Sequence, residues 1–103
     1  GDGRYVLKRL KQYNGIAEES NNNEILDAIL LLAKTEGIFT EPAGGVSVAV
    51  LKKMVDDGRI DRDETTVCYV TGNGLKATES LMEVLPKPQL MQPDIAKISA
   101  VVK

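Results

Sequence analysis

Apolar residues recur along this chain first at helical spacing and later at a strand-like one, and the changes between them mark out its elements. Val6, Leu10 and Tyr13 share one face of a helix that starts at Asp2 or Gly3, and Asn14-Gly15 supplies a left-handed stop. Ile16 to Ser20 reads as a short extended stretch. Asn21 and Glu24 then stand in front of an apolar run at the spacing of a capping box. The helix they open carries Ile25, Ile29 and Leu32 on one stripe, with Leu26, Leu30 and Ala33 beside it. So wide an apolar face implies burial against two neighbours. The helix is predicted near residues 22–36 and stops at Gly37.

Ile38 to Thr40 makes a brief extended link into Glu41-Pro42-Ala43-Gly44-Gly45. Val46, Val50 and Met54, flanked by Ala49 and Leu51, predict a third helix near 45–57, with Lys52 and Lys53 outside and an end near Asp57-Gly58. Its β-branched valines lower the intrinsic propensity, so packing must hold it. Beyond a charged loop from Arg59 to Glu64, Thr65-Thr66-Val67-Cys68-Tyr69-Val70 is apolar on both faces. That is the pattern of a buried inner strand in a parallel sheet, with the two preceding helices packed on it. Thr71-Gly72-Asn73-Gly74 turns the chain into a short helix over 75–84, and Pro86, Pro88 and Pro93 break the next stretch into an extended tail. Pro93 suits the first position of a last helix bearing Ile95, Ile98 and Val102. The expected fold class is α/β: part of an open, mostly parallel sheet covered by helices. One full strand and two short ones are too few for a covered parallel sheet, so the sequence reads as part of a domain.

Composition removes most function classes. With 103 residues, 43% hydrophobic and 27% charged, there is one domain at most. Thirteen basic and fifteen acidic residues leave a charge of −2, which argues against nucleic acid and against a polybasic membrane tether. The sequence contains no His, which removes Ser-His-Asp and Cys-His catalysis and every His-ligated zinc site. A single cysteine, Cys68, cannot form an internal disulfide and favours a reducing, intracellular setting. The longest apolar run, Ala28 to Ala33, falls far short of the ~20 residues of a membrane span. Gly1-Asp2-Gly3-Arg4 has no signal-peptide character. The expectation is a soluble, cytoplasmic piece whose chemistry comes from a cofactor or from further chain.

Several motifs carry candidate chemistry, each beside a plainer alternative. The Thr71-to-Gly74 turn lies at the end of the predicted strand, where ligands bind in open α/β sheets and where glycines let backbone approach a ligand. It also reads as a tight turn needing positive φ. Gly72-x-Gly74-x-x-Ala77 satisfies a dinucleotide fingerprint, but Asp94, at the distance of its acidic partner, follows a proline-broken segment and not a strand. Glu41-Pro42-Ala43-Gly44-Gly45 reads either as a turn and helix start close against a neighbouring strand, or as a cofactor-facing helix start with one carboxylate beside it. Cys68 reads as a buried, inert core residue. Lys76 reads either as an exposed lysine in a first helical turn or as a Schiff-base amine. Asp56, Asp57, Asp61, Asp63 and Glu64 lack the order of a calcium loop and read as a solvated loop.

Taken together, Thr35-Glu36-Gly37-Ile38-Phe39-Thr40-Glu41-Pro42-Ala43-Gly44-Gly45-Val46 and Tyr69-Val70-Thr71-Gly72-Asn73-Gly74-Leu75-Lys76 resemble the C-terminal part of the threonine synthase family. The likeness extends through the Asn21-to-Glu24 helix start, the Gly-Asp-Gly beginning and Leu85-Pro86-Lys87-Pro88, so it covers nearly the whole chain. Glu-Pro-Ala-Gly alone is shared with serine and threonine dehydratases, which remain an alternative. A noncatalytic nucleotide- or phosphate-binding module using Gly72 to Gly74 is another. The resemblance implies the tryptophan synthase β-like fold of pyridoxal-phosphate enzymes and the conversion of O-phospho-L-homoserine and water to L-threonine and phosphate. It makes residues 1–103 a C-terminal fragment of the large cofactor-binding domain, with 86–103 as an extension bearing a short helix. The family's cofactor lysine lies in a Ser-Phe-Lys-Asp-like motif that does not occur here, and its phosphate loop lies further upstream. The hydroxyl that meets the pyridine nitrogen maps onto Thr71, and Glu41 borders the same pocket. The expected partners are the upstream half of the same protein, further copies of itself and an amino-acid substrate. The chain alone is expected to be inactive and to hold no pyridoxal phosphate.

Overall fold

The computed structural model describes residues 2–82, 84–85, 87 and 90–101. Four helices appear among them: α1 (Gly3–Gln12), α2 (Asn22–Glu36), α3 (Pro42–Asp56) and α4 (Ile95–Val101), with 3-10 turns at Gly74–Lys76 and Thr78–Ser80. The body of the fold is the α2–α3 hairpin. Its start is fixed by local chemistry: the Glu24 N–H donates to the Asn21 side chain at 3.1 Å, and the Asn21 N–H donates to the Glu24 carboxylate at 2.7 Å. The stop of α2 is Gly37, at φ 68°, whose N–H closes on Ala33 O at 3.1 Å. Both features match the sequence expectation. At the first helix, Asn14 rather than Gly15 takes the left-handed conformation, at φ 53°.

Helix α3 starts earlier than its glycines led us to expect, at Pro42, which occupies the first position where its missing N–H costs nothing. Gly44 and Gly45 therefore lie inside the first turn and serve packing. A Cβ on Gly45 would stand 2.7 Å from Ile29 Cγ1 and 3.0 Å from the Ile25 carbonyl oxygen. The bare backbone lets the helices close on each other around Ala28, Ile29 and Ala49. Burying a side chain the size of Ile29 contributes roughly 1.5–3 kcal/mol, which offsets the low propensity of two glycines at ~1 kcal/mol each.

Residues 65–70 correct the strand expectation. They carry no regular secondary structure and belong to no strand among the described residues. Val67 and Tyr69 are 74% and 77% exposed, and Cys68 is half-buried rather than core. A two-sided apolar segment becomes a strand only when neighbours satisfy its amides and cover both faces. Helices α2 and α3 consequently pack on each other rather than on a sheet. Among the described residues of the helix expected over 75–84, the two 3-10 turns stand in its place. The last helix starts at Ile95 rather than Pro93, with the Asp94 carboxylate accepting the Ala96 N–H at 2.9 Å. Asp94 thus serves a helix end and not a ribose. Pro86, Pro88 and Val102 lie outside the described residues.

With a radius of gyration of 18.4 Å, the chain is more open than the ~13 Å of a compact domain this long. Neither α1 nor α4 buries a residue, and Tyr5, Leu7 and Tyr13 stay exposed.

The linker before α2 is tied to the end of α3 through Glu18. Its carboxylate accepts the Glu19 N–H at 3.0 Å and pairs with Arg59 at 2.8 Å and Lys53 at 3.5 Å. The backbone N–H first and the guanidinium second hold the carboxyl down to about 2. A depressed carboxyl stabilises the fold above its unfolded pKa, and that stabilisation disappears as pH falls through the folded value. Stability should therefore drop between about pH 5 and pH 2, and Glu18→Gln should lower stability at neutral pH and flatten the acid limb. Parallel acid limbs in chemical denaturation series would contradict this. Gly45→Ala should destabilise the fold by up to ~2 kcal/mol net, an overpacking cost of ~1–3 kcal/mol set against a helix-propensity gain of ~1 kcal/mol. Denaturation followed by circular dichroism checks it, and an unchanged or raised midpoint would contradict the packing account.

Candidate functional site

The two glycine-containing motifs, distant in sequence, meet in a two-stranded contact. Thr40 and Asn73 form an antiparallel bridge. On one side of it the Glu41 N–H donates to Gly72 O at 3.1 Å, and on the other the Gly74 N–H donates to Phe39 O at 3.0 Å. In this register Phe39 stands opposite Gly74 and Glu41 opposite Gly72. Opposed residues of an antiparallel pair hold their side chains side by side, so a large residue facing a glycine can fold over the bare backbone. Both large residues do. A Cβ on Gly74 would lie 2.6 Å from the Phe39 ring, and one on Gly72 would overlap the Glu41 carboxylate.

Thr40 locks the contact from inside. It is fully buried, and its hydroxyl lies 3.1 Å from Gly72 O and 3.2 Å from Glu41 O, offering its one proton to both. Glycine at 44 leaves the room for it, since a Cβ there would overlap Thr40 Oγ1. The Asn73 side chain accepts the Leu75 N–H at 2.9 Å and so starts the Gly74–Lys76 turn. From that turn Lys76 reaches back, its Nζ 3.0 Å from Glu41 Oε2.

Glu41 is thus brought to the Thr71 turn. Its side chain is 20% exposed, whereas that of Lys76 is 67% exposed. Thr71 lies at the surface, one residue before the bare backbone of Gly72, and its hydroxyl has no hydrogen-bond partner among the described residues. Lys76 is an exposed, ion-paired lysine. Gly74, buried under Phe39, is closed to a phosphate, which removes the physical basis of the dinucleotide reading. Three carboxylates of the acidic loop are engaged: Asp56 with Lys52 and Arg62, Asp57 with Arg59, and Asp61 with the Asp63 N–H. Among the described residues no group of three or more could hold a metal ion, and no helix is long and apolar enough to cross a membrane. A groove of about 470 Å³ between α2 and α3, lined by Glu24, Asp27, Lys52 and Asp56 among others, lies apart from Thr71 and Glu41.

Residues 1–72 match the pyridoxal-phosphate dependent enzyme family. The chain belongs to that family. The threonine synthase of Methanocaldococcus jannaschii is 42% identical over 98 residues, which make up 95% of this chain and 24% of that protein. The threonine synthase of Methanosarcina acetivorans is 42% identical over 93 residues, 90% of this chain and 23% of its own length. That of Halalkalibacterium halodurans is 41% identical over 81 residues, 79% of this chain and 23% of its own length. The chain therefore spans about a quarter of the length of the curated relatives it matches. For a member of the pyridoxal-phosphate dependent enzymes, an open radius of gyration and exposed apolar helices fit a chain that covers part of a larger fold.

Sequence reasoning finds both turns and misses what joins them. Thr40 and Phe39 carry no signature of their own in the sequence, and Lys76 reads there only as a nucleophile or a solvated lysine. The signal was present as a shared period of two: Phe39-x-Glu41 against Gly72-x-Gly74. Gly72→Ala should push the Glu41 carboxylate off the turn. An overpacking cost of ~1–3 kcal/mol would speed hydrogen exchange at the Glu41 and Gly74 amides by about 5- to 150-fold. Unchanged protection at both amides would contradict the cradle.

Proposed function

We propose that this chain supplies the C-terminal part of a threonine synthase. The intact protein would convert O-phospho-L-homoserine and water to L-threonine and phosphate with pyridoxal phosphate, and Thr71 would be this chain's contact to the cofactor ring. The observation that carries the reading is the Thr71 hydroxyl, exposed and unpaired among the described residues, next to a backbone kept bare at Gly72. The donor set fits the group. A threonine hydroxyl donates to an unprotonated pyridine nitrogen, where an aspartate would keep that nitrogen protonated. When bound, the cofactor supplies an electron sink whose strength depends on that nitrogen. The residues of this chain orient it and set its charge environment.

Glu41 borders the same pocket, and its place beside Gly72 supports this. The lysine that holds the cofactor and the loop that holds its phosphate belong to further chain upstream, the partner this segment needs. In that company residues 65–70 gain neighbours on both faces and complete an open, mostly parallel sheet of the tryptophan synthase β-like fold. The exposed apolar surface of α1 supports burial against that upstream half or against a further copy of the protein. The balanced charge and the free Cys68 are consistent with a cytoplasmic enzyme.

In the intact enzyme, Thr71→Val keeps the side-chain shape and removes the donor. A buried acceptor left without its donor costs about 1–3 kcal/mol, or roughly a 5- to 150-fold loss of rate if carried fully into the transition state. Thr71→Ser should retain most of the activity. Wild-type rate and cofactor affinity in Thr71→Val would remove the assignment.

A further inference from the structure

We propose that Lys76 is a positioning and charge-compensating residue: it holds the Glu41 carboxylate over Gly72 and cancels its charge, so that the ring nitrogen meets the neutral Thr71 hydroxyl with no bare anion beside it. The proposal rests on the reading of Thr71 under Proposed function. The Glu41 carboxylate fills the space where a Cβ would stand on Gly72. Neighbouring Cα atoms are ~3.8 Å apart, which puts that carboxylate within about 7 Å of the Thr71 Cα. This lies inside the ~8 Å screening length of physiological salt, so solution ions do not erase its field. An uncompensated anion there favours the protonated form of a nearby basic nitrogen, the state a hydroxyl donor cannot use.

The geometry divides the carboxylate between two tasks. Oε1 faces Gly72, while Oε2 takes the Lys76 ammonium at 3.0 Å. Lys76 starts from a fixed point, because its own N–H donates to Asn73 O at 3.2 Å and the Asn73 side chain holds the neighbouring Leu75 N–H. As a contribution to folding, such an exposed pair is worth little. Its effect is electrostatic and local, which separates it from a structural role.

The test uses the intact protein reconstituted with pyridoxal phosphate and reads the absorption spectrum of the bound cofactor at one fixed pH near neutrality. Lys76→Met should shift the spectrum, Lys76→Arg should keep the wild-type spectrum, and Lys76→Met combined with Glu41→Gln should return to it. In the cofactor-free protein, exchange at the Gly74 amide should stay within about twofold of wild type in Lys76→Met, as expected of a weak surface pair. A wild-type spectrum in Lys76→Met, a failure of Glu41→Gln to restore it, or a tenfold or greater opening of the Gly74 amide, about 1.4 kcal/mol or more, would each overturn the proposal. Thr71→Val measured alongside separates the two claims. If it alters the spectrum while Lys76→Met does not, only the Lys76 role falls; if neither does, the Thr71 reading falls with it.

Discussion

Two backbone hydrogen bonds and one buried hydroxyl hold the candidate site together. The Glu41–Gly72 and Phe39–Gly74 bonds flank the Thr40–Asn73 bridge, and Thr40 Oγ1 sits against the Gly72 and Glu41 carbonyls on one side of it. Without this contact Glu41 would be a charged residue at the start of α3, and Thr71 the end of a segment with no regular secondary structure. With it, a carboxylate, its counter-ion and an exposed hydroxyl come within one small region of surface. The α2–α3 hairpin supports the arrangement from behind, since Pro42 starts α3 directly after Glu41 and the packing of Gly45 on Ile25 and Ile29 fixes where that helix begins.

The glycines of the site act by what they leave out. Gly72 and Gly74 are opposite Glu41 and Phe39, and each large side chain occupies the volume a Cβ would need. Neither glycine has positive φ, so close approach and not backbone conformation is the requirement. The same geometry separates the phosphate-binding and cofactor readings. A glycine covered by an aromatic ring offers no amide to a phosphate, whereas the Thr71 hydroxyl just before the turn stays open.

What could be read from the sequence divides along the range of the forces involved. The capping box at Asn21 and Glu24 and the stop at Gly37 were legible because their chemistry closes within a few residues. The start of α3 was not, because the propensity of Gly44 and Gly45 speaks against a helix while their packing against Thr40 and α2 speaks for one. The apolar segment 65–70 has the pattern of an inner strand, but this chain provides no neighbours for its amides among the described residues. At the site, Thr71 and Glu41 were picked out through family likeness, and their proximity is now a matter of geometry. The pairing of Thr40 with Gly72, 32 residues away, was not legible, because hydrophobic period alone does not specify which extended segments meet.

The central claim is that a neutral hydroxyl, and not an acid, faces the ring nitrogen of the cofactor. The most direct measurement is nitrogen-15 NMR of the intact protein loaded with pyridoxal phosphate labelled at that nitrogen. The account predicts the resonance of an unprotonated, hydrogen-bonded pyridine nitrogen that moves when Thr71 is replaced by valine. A pyridinium resonance, or one unmoved by that replacement, would contradict it.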